Sequence, residues 1–139
     1  MQADTLMHLR RARDLIDRRY HELLDLDGLA QTAGYSRYHF ARAFRDAFGE
    51  TPGDYLARRR IERAKQLLRD ANLTVTEICH LVGFSSLGSF STRFHTLVGM
   101  APTAYRDHHA VRHGQPEVPG CFLMRWSRPR SARGRRPTG

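Results

Sequence analysis

Arg37, Tyr38, Ala41, Arg42 and Arg45 fall in a stretch whose apolar residues recur as Phe40, Phe44 and Phe48, spaced i, i+4 and i+8. On a helix that spacing gathers the rings on one side and leaves the arginines and the tyrosine on the rest of the surface. A guanidinium is a planar fork of donors, the shape that pairs with the O6/N7 edge of guanine in the major groove of DNA. Arg42 is placed for that contact, Tyr38 for packing on a base or sugar, and Arg37 or Arg45 for holding phosphates. A second stretch has the same frame. Phe90 and Phe94 point to a core, and Leu87, Gly88, Ser91, Thr92 and Arg93 stay outside. That surface is small and poor in forked donors, so weaker base reading is expected there, through thymine methyls, hydroxyls, and Arg93 on phosphate. Ser36 and Ser86, just ahead of the two stretches, complete the candidate DNA-contacting set.

The elements that must hold these residues occur twice. Gly34-Tyr35-Ser36 corresponds to Gly83-Phe84-Ser85, an offset of 49 (Gly34 to Gly83), and Leu26, Leu29, Ala30 and Ala33 correspond to Val75, Ile78, Cys79 and Val82. After the serines one residue is inserted. Phe40, Phe44, Phe48, Gly49, Pro52 and Tyr55 then match Phe90, Phe94, Val98, Gly99, Pro102 and Tyr105 at an offset of 50 (Phe40 to Phe90). A repeat of this length is one supersecondary unit used twice. Its grammar is a short apolar helix, a glycine that takes positive φ, a serine cap and a longer helix, which is a helix-turn-helix. Ser36 caps the first long helix. For the second, Ser85 repeats the position of Ser36, with Ser86 as a competing cap.

The chain has 139 residues, 23 Lys+Arg against 14 Asp+Glu, a formal net charge of +9 and a pI near 10.7. The length suits one compact domain or two very small ones. The charge favours an anionic partner, nucleic acid first and an acidic membrane surface second. Part of the excess lies in a terminal run of arginines, Arg125, Arg128, Arg130, Arg133, Arg135 and Arg136. No stretch is long and apolar enough to cross a bilayer, and no apolar signal segment opens the chain. Cys79 and Cys121 are too few for a disulfide scaffold, and Cys79 at a core position reads as a reduced thiol in the cytoplasm.

Seven helices follow from the periodicity, over about residues 6–20, 26–33, 37–48, 52–69, 75–82, 87–98 and 102–112, and no strand pattern competes: the fold class is all-α. Thr51, Pro52 and Asp54 start the long fourth helix as cap, first-turn proline and capping-box partner, and Thr74 caps the fifth. The expected organisation is a DNA-binding domain over 1–114, with helix-turn-helix units at 26–48 and 75–98 joined by a linker helix at 52–69. Residues 115–139 read as an Arg/Pro/Gly-rich tail, mostly flexible. Its segment Cys121-Phe122-Leu123-Met124-Arg125-Trp126 is apolar enough to fold back or dock on a partner.

His108, His109 and His113 raise a metal hypothesis, but they lie where the last helix ends, with no cysteine or carboxylate at ligand spacing. No phosphate loop, nucleophile elbow or paired carboxylates occur, so neither an enzyme nor a cofactor is expected. Two competing classes remain, a non-specific architectural DNA binder and an adaptor docking on the transcription machinery through its tail.

Taken together, Leu29-Ala30-x-x-Ala33-Gly34-Tyr35-Ser36, Phe40-x-x-x-Phe44, Gly49-x-x-Pro52-x-x-Tyr55 and Arg60-Ile61-x-x-Ala64-x-x-Leu67-Leu68 resemble the DNA-binding domain of the AraC/XylS family of bacterial transcription regulators. The most specific segment runs Ile78-x-x-x-Val82-Gly83-Phe84-x-Ser86-x-x-x-Phe90-x-x-x-Phe94-x-x-x-Val98-Gly99-x-x-Pro102-x-x-Tyr105-Arg106. The resemblance covers about residues 6–112. It implies two helix-turn-helix units that place their second helices in successive major grooves on one face of double-stranded DNA. Base contacts would come from Tyr38, Ala41 and Arg42 in the first unit and from Leu87, Gly88, Ser91 and Thr92 in the second. Ala41, Leu87 and Gly88 depart from the long or polar side chains usual there. A linker of roughly 18 residues would be about 27 Å long, against groove spacings of ~34 Å. Many relatives carry a sensing domain ahead of this one. Here the first helix begins within ten residues of the start, so a single-domain regulator that binds as a monomer is expected, with RNA polymerase as a second partner and no membrane role.

Overall fold

A computed structural model describes residues 3–113, and the tail at 115–139 lies outside the described residues. Within the described residues seven helices follow one another: α1 (Ala3–Arg19), α2 (Leu26–Thr32), α3 (Arg37–Phe48), α4 (Pro52–Asp70), α5 (Val75–Leu81), α6 (Leu87–Val98) and α7 (Pro102–His113). Among the described residues there is no β-strand. The described residues divide within α4 into two compact units, the first up to Arg59 and the second from Arg60 onward.

In the first unit, α1, α2, α3 and the start of α4 enclose one core of Leu9, Ala12, Ile16, Leu29, Ala30, Ala33, Phe40, Phe44 and Leu56. Phe40 and Phe44 are buried and meet edge to face at 5.8 Å, while Phe48, the third ring of the stripe, is only half-buried. Phe48 still packs on Phe44 at 4.7 Å, and the Arg13 guanidinium covers it at 4.3 Å, so the stripe ends at the edge of the core under a cation.

The second unit repeats the plan with different side chains. Ile61, Ala64, Leu67 and Leu68 of α4 join Leu73, Val75, Ile78, Cys79, Val82, Phe90, Phe94 and Tyr105. Arg106 ties α7 to the end of α4, donating to the Leu68 carbonyl at 3.1 Å and the Ala71 carbonyl at 3.2 Å. Those carbonyls at a helix C-terminus have no helical donor of their own. Burial pushes the Arg106 pKa below its ordinary value, with Asp107 and Glu77 opposing.

Both units turn in the same way. Gly34 N–H donates to Gln31 O and Tyr35 N–H to Ala30 O, and Gly83 N–H donates to His80 O and Phe84 N–H to Cys79 O. This double closure of a helix end needs a left-handed residue at its centre, which the φ of +82° at Gly34 and +109° at Gly83 supply. Ser36 Oγ then accepts from the His39 amide and caps α3.

In the second unit the cap is Ser86, whose Oγ accepts from the Ser89 amide at 3.1 Å, and Ser85 does not fill that role. The inserted residue therefore lies between the glycine and the cap, and Ser36 corresponds to Ser86. The buried Cys79 thiol donates across this longer turn to the Ser86 carbonyl at 3.5 Å. Thr74 and Glu77 form a complete reciprocal cap at the start of α5. Losing the α6 cap is worth about 1 kcal/mol. Thermal unfolding should thus register Ser86→Ala as a loss of that size, with Ser85→Ala near neutral. The reverse order would restore the cap to Ser85.

Candidate nucleic-acid interface

With Phe40 and Phe44 held in the core, α3 exposes Arg37, Tyr38, Arg42 and Arg45, and the capping Ser36 is exposed just ahead of it. Ala41 is half-buried because it adjoins Phe40 at the margin of the apolar stripe. The exposed side chains are not independent. Arg42 Nη1 donates to Tyr38 Oη at 3.3 Å, and its guanidinium carbon lies 5.7 Å from the centre of the Tyr38 ring. Arg37 Nε lies 3.3 Å from Asp27 Oδ1 on α2, a solvent-exposed ion pair. Such a pair is worth at most about 1 kcal/mol and is readily exchanged for another anion. His39 Nδ1 lies 2.9 Å from Ser36 Oγ, so that imidazole belongs to the cap.

On α6 the same geometry presents a blander surface. Ser86, Leu87, Gly88 and Thr92 are exposed, and Ser91 and Arg93, flanking Phe90 and Phe94, are half-buried. Leu87 keeps 42% of its surface in solvent, an apolar side chain at the first position of the helix. Within each unit the structure brings the predicted residues onto the solvent side of one helix.

Polar contacts tie together the elements that flank the longer helices. Glu50, next to the left-handed Gly49 that ends α3, receives Arg58 in a fork, with Nη2 at 2.7 Å and Nε at 3.0 Å from Oε2. Asp17 on α1 accepts from the Tyr55 hydroxyl at 2.6 Å and from Arg59 Nε at 3.0 Å, which clamps α4 against α1. In the second unit Tyr105, the counterpart of Tyr55, is instead an acceptor, taking a 2.6 Å bond from Arg69 Nη1. The sequence reading missed Asp17, Asp27, Glu50, Arg58 and Arg59, because no spacing rule links partners that meet only through packing.

Residues 29–108, more than half of the chain, match the family model described as a helix-turn-helix domain. The transcriptional activator AarP of Providencia stuartii is 41% identical over 60% of this chain and 62% of its own length. The probable transcription factor PqrA of Proteus vulgaris is 31% identical over 74% of this chain and 80% of its own. Among solved structures, the DNA-binding domain of AdpA in complex with a target DNA superposes with a TM-score of 0.71 at 31% identity, covering 77% of this chain and 96% of that one. The C-terminal domain of AraT from Geobacillus stearothermophilus follows with a TM-score of 0.67 at 29% identity, covering 73% and 84%.

The chain belongs to the AraC/XylS family of transcription regulators. It spans less than two thirds of several of the curated relatives it matches, down to 26% for an AraC-like transcription regulator of Streptomyces lividans. What is shared with such AraC-type proteins is the DNA-binding domain. No helix among the described residues is long and apolar enough to cross a membrane.

One contact in the clamp of this AraC-type domain titrates. Burial first, then the Asp17 hydrogen bond and charge, push the Tyr55 hydroxyl from its ordinary 10 up to about 12, against Arg13 and Arg59. A pKa raised on folding stabilises the fold below the unfolded value and loses that contribution as pH climbs through the folded one. Urea unfolding should therefore show wild type falling toward Tyr55→Phe between pH 10 and 12. A constant gap between the two proteins across that window would mean that Tyr55 does not hold its proton more tightly when folded.

Proposed function

We propose that this chain is a sequence-specific double-stranded DNA-binding transcription regulator that lays α3 and α6 in successive major grooves. The observation that carries the reading is the solvent side of α3. Arg37, Tyr38, Arg42 and Arg45 are exposed there, opposite the buried Phe40 and Phe44. Groove reading needs a helix with one anchored side and one donor-rich side, and α3 meets that need. The match to a domain solved on its target DNA supports it.

In this reading Arg42 donates twice to a guanine, while Arg37, Arg45 and Arg93 bind phosphates. Ala41, Leu87, Gly88, Ser91 and Thr92 line the bases and Tyr38 packs on a sugar beside Arg42, with Ser36 and Ser86 at the helix starts nearest the backbone. The partner is duplex DNA, met by a monomer in the cytoplasm at promoters where RNA polymerase is the neighbouring machine. No catalytic step and no cofactor enter. The first half-site carries most of the sequence information, since Thr92 and Gly88 offer less than Arg42 and Tyr38.

Selection of bound duplexes from a random pool tests this directly. The selected site should bind at least ~10³-fold more tightly than random duplex. Arg42→Ala should weaken it by about 1–3 kcal/mol and relax preference at one base position. Equal affinity for all sequences would leave a non-specific architectural binder, and an unchanged preference in Arg42→Ala would remove Arg42 as a reader.

Spacing gives an independent check. Inserting about half a helical turn, ~5 base pairs, between the two half-sites rotates one groove to the far side of the duplex. Gel-shift affinity should then drop to that of the first half-site alone. Unaltered affinity would mean that one helix does all the reading.

A further inference from the structure

We propose that Tyr38 is a positioning residue for base readout, a platform that fixes the Arg42 guanidinium before DNA arrives. The inference rests on the reading of α3 as a groove helix and adds how its specificity is set. Tyr38 and Arg42 are one helical turn apart, the spacing at which side chains on a helix meet. The ring lies within cation–π reach of the guanidinium carbon, at 5.7 Å, and its hydroxyl accepts from Nη1 at 3.3 Å. Only one hydrogen of the fork is used in this way. The second Nη1 hydrogen and both on Nη2 remain for a guanine edge, which needs two parallel donors.

The platform is itself held. The Tyr38 ring stands edge-on to His39 at 5.5 Å, and His39 Nδ1 lies 2.9 Å from Ser36 Oγ, the cap of α3. A line of contacts thus runs from the helix cap through two rings to the guanidinium. An arginine free in solvent gives up much rotamer freedom when it binds, and one already placed gives up less.

No other arginine of α3 has this support. The residue one turn before Arg45 is Ala41, and Arg37 pairs with the Asp27 carboxylate. In the second unit Gly88 and Thr92 stand where Tyr38 and Arg42 stand in the first, with neither ring nor fork. The two units thus use one frame for different readers, and the guanine preference should depend on a hydroxyl that need not touch the base.

The test compares base preferences of wild type, Tyr38→Phe, Tyr38→Ala, Arg42→Ala and the double variant Tyr38→Ala/Arg42→Ala on duplexes selected by the wild-type protein. Tyr38 is 64% exposed, so its replacement should leave the core intact, and unchanged circular dichroism of each variant checks this. Tyr38→Phe keeps the ring and removes the acceptor, and should reduce preference about two- to tenfold at the single base position that Arg42→Ala relaxes. Tyr38→Ala should reduce it further. The double variant should match Arg42→Ala within about twofold, because a residue that acts through another has no effect once its partner is gone.

A loss at a different base position, or a further loss in the Arg42→Ala background, would make Tyr38 a reader in its own right and overturn the proposal. So would an unchanged preference in Tyr38→Phe and Tyr38→Ala while Arg42→Ala still relaxes one position, and in both cases the DNA-reading function would stand. If Arg42→Ala itself left every preference intact, the groove reading of α3 and the platform would fall together.

Discussion

Burial of two phenylalanine rings on each longer helix is the constraint on which the rest depends. Phe40 and Phe44 in α3, and Phe90 and Phe94 in α6, are all at most 2% exposed. Removing a ring of this size from water contributes about 1.5–3 kcal/mol, more than any exposed ion pair on the same helix. A helix anchored at two successive turns of one side cannot rotate about its axis without exposing both rings. The opposite side is therefore settled as well, and the side of α3 that carries the arginines faces solvent before contacts such as Arg42–Tyr38 and Arg37–Asp27 add to it. The half-buried rim residues Ala41, Ser91 and Arg93 mark where this apolar side ends.

The helix-turn-helix of each unit is then closed by local chemistry of a second kind. A left-handed glycine satisfies the carbonyls at the end of the short helix, and a serine satisfies an amide at the start of the long one. These are short-range bonds, independent of what the exposed side will bind, so the same frame can carry different surfaces. Here it carries a donor-rich surface on α3 and a small, partly apolar one on α6. The supporting tyrosines diverge in the same way. Tyr55 donates to a carboxylate, and Tyr105 accepts from a guanidinium.

Features that rest on spacing of three or four residues were legible before any coordinates. The apolar stripes, the glycine turns, the Thr51 and Thr74 caps and the prolines at the starts of α4 and α7 all belong to this group. Where the spacing rule met two equivalent candidates it left the choice open. Ser85 and Ser86 both suit a cap, and the choice fell to the second because the inserted residue lengthens the turn across which Cys79 reaches the Ser86 carbonyl. The Phe48 stripe packs on the side that its spacing assigns, but its burial was not legible from spacing. Periodicity assigns a side to a ring but does not say how far the core reaches along it, and Arg13 covers that position from another helix.

By itself, then, the sequence determined the helices, their turns, the duplicated frame and the family, because hydrophobic periodicity and capping act within a turn or two of the chain. Only the tertiary structure decided which polar groups meet. Asp17 finds Tyr55 and Arg59, Glu50 finds Arg58, Asp27 finds Arg37, and Arg106 finds the carbonyls of Leu68 and Ala71. Apart from Glu50 and Arg58 these partners are ten or more residues apart, and no local energy distinguishes them from other charges in so basic a chain. Their proximity is a consequence of how apolar sides pack, which is a property of the folded unit and not of any segment within it.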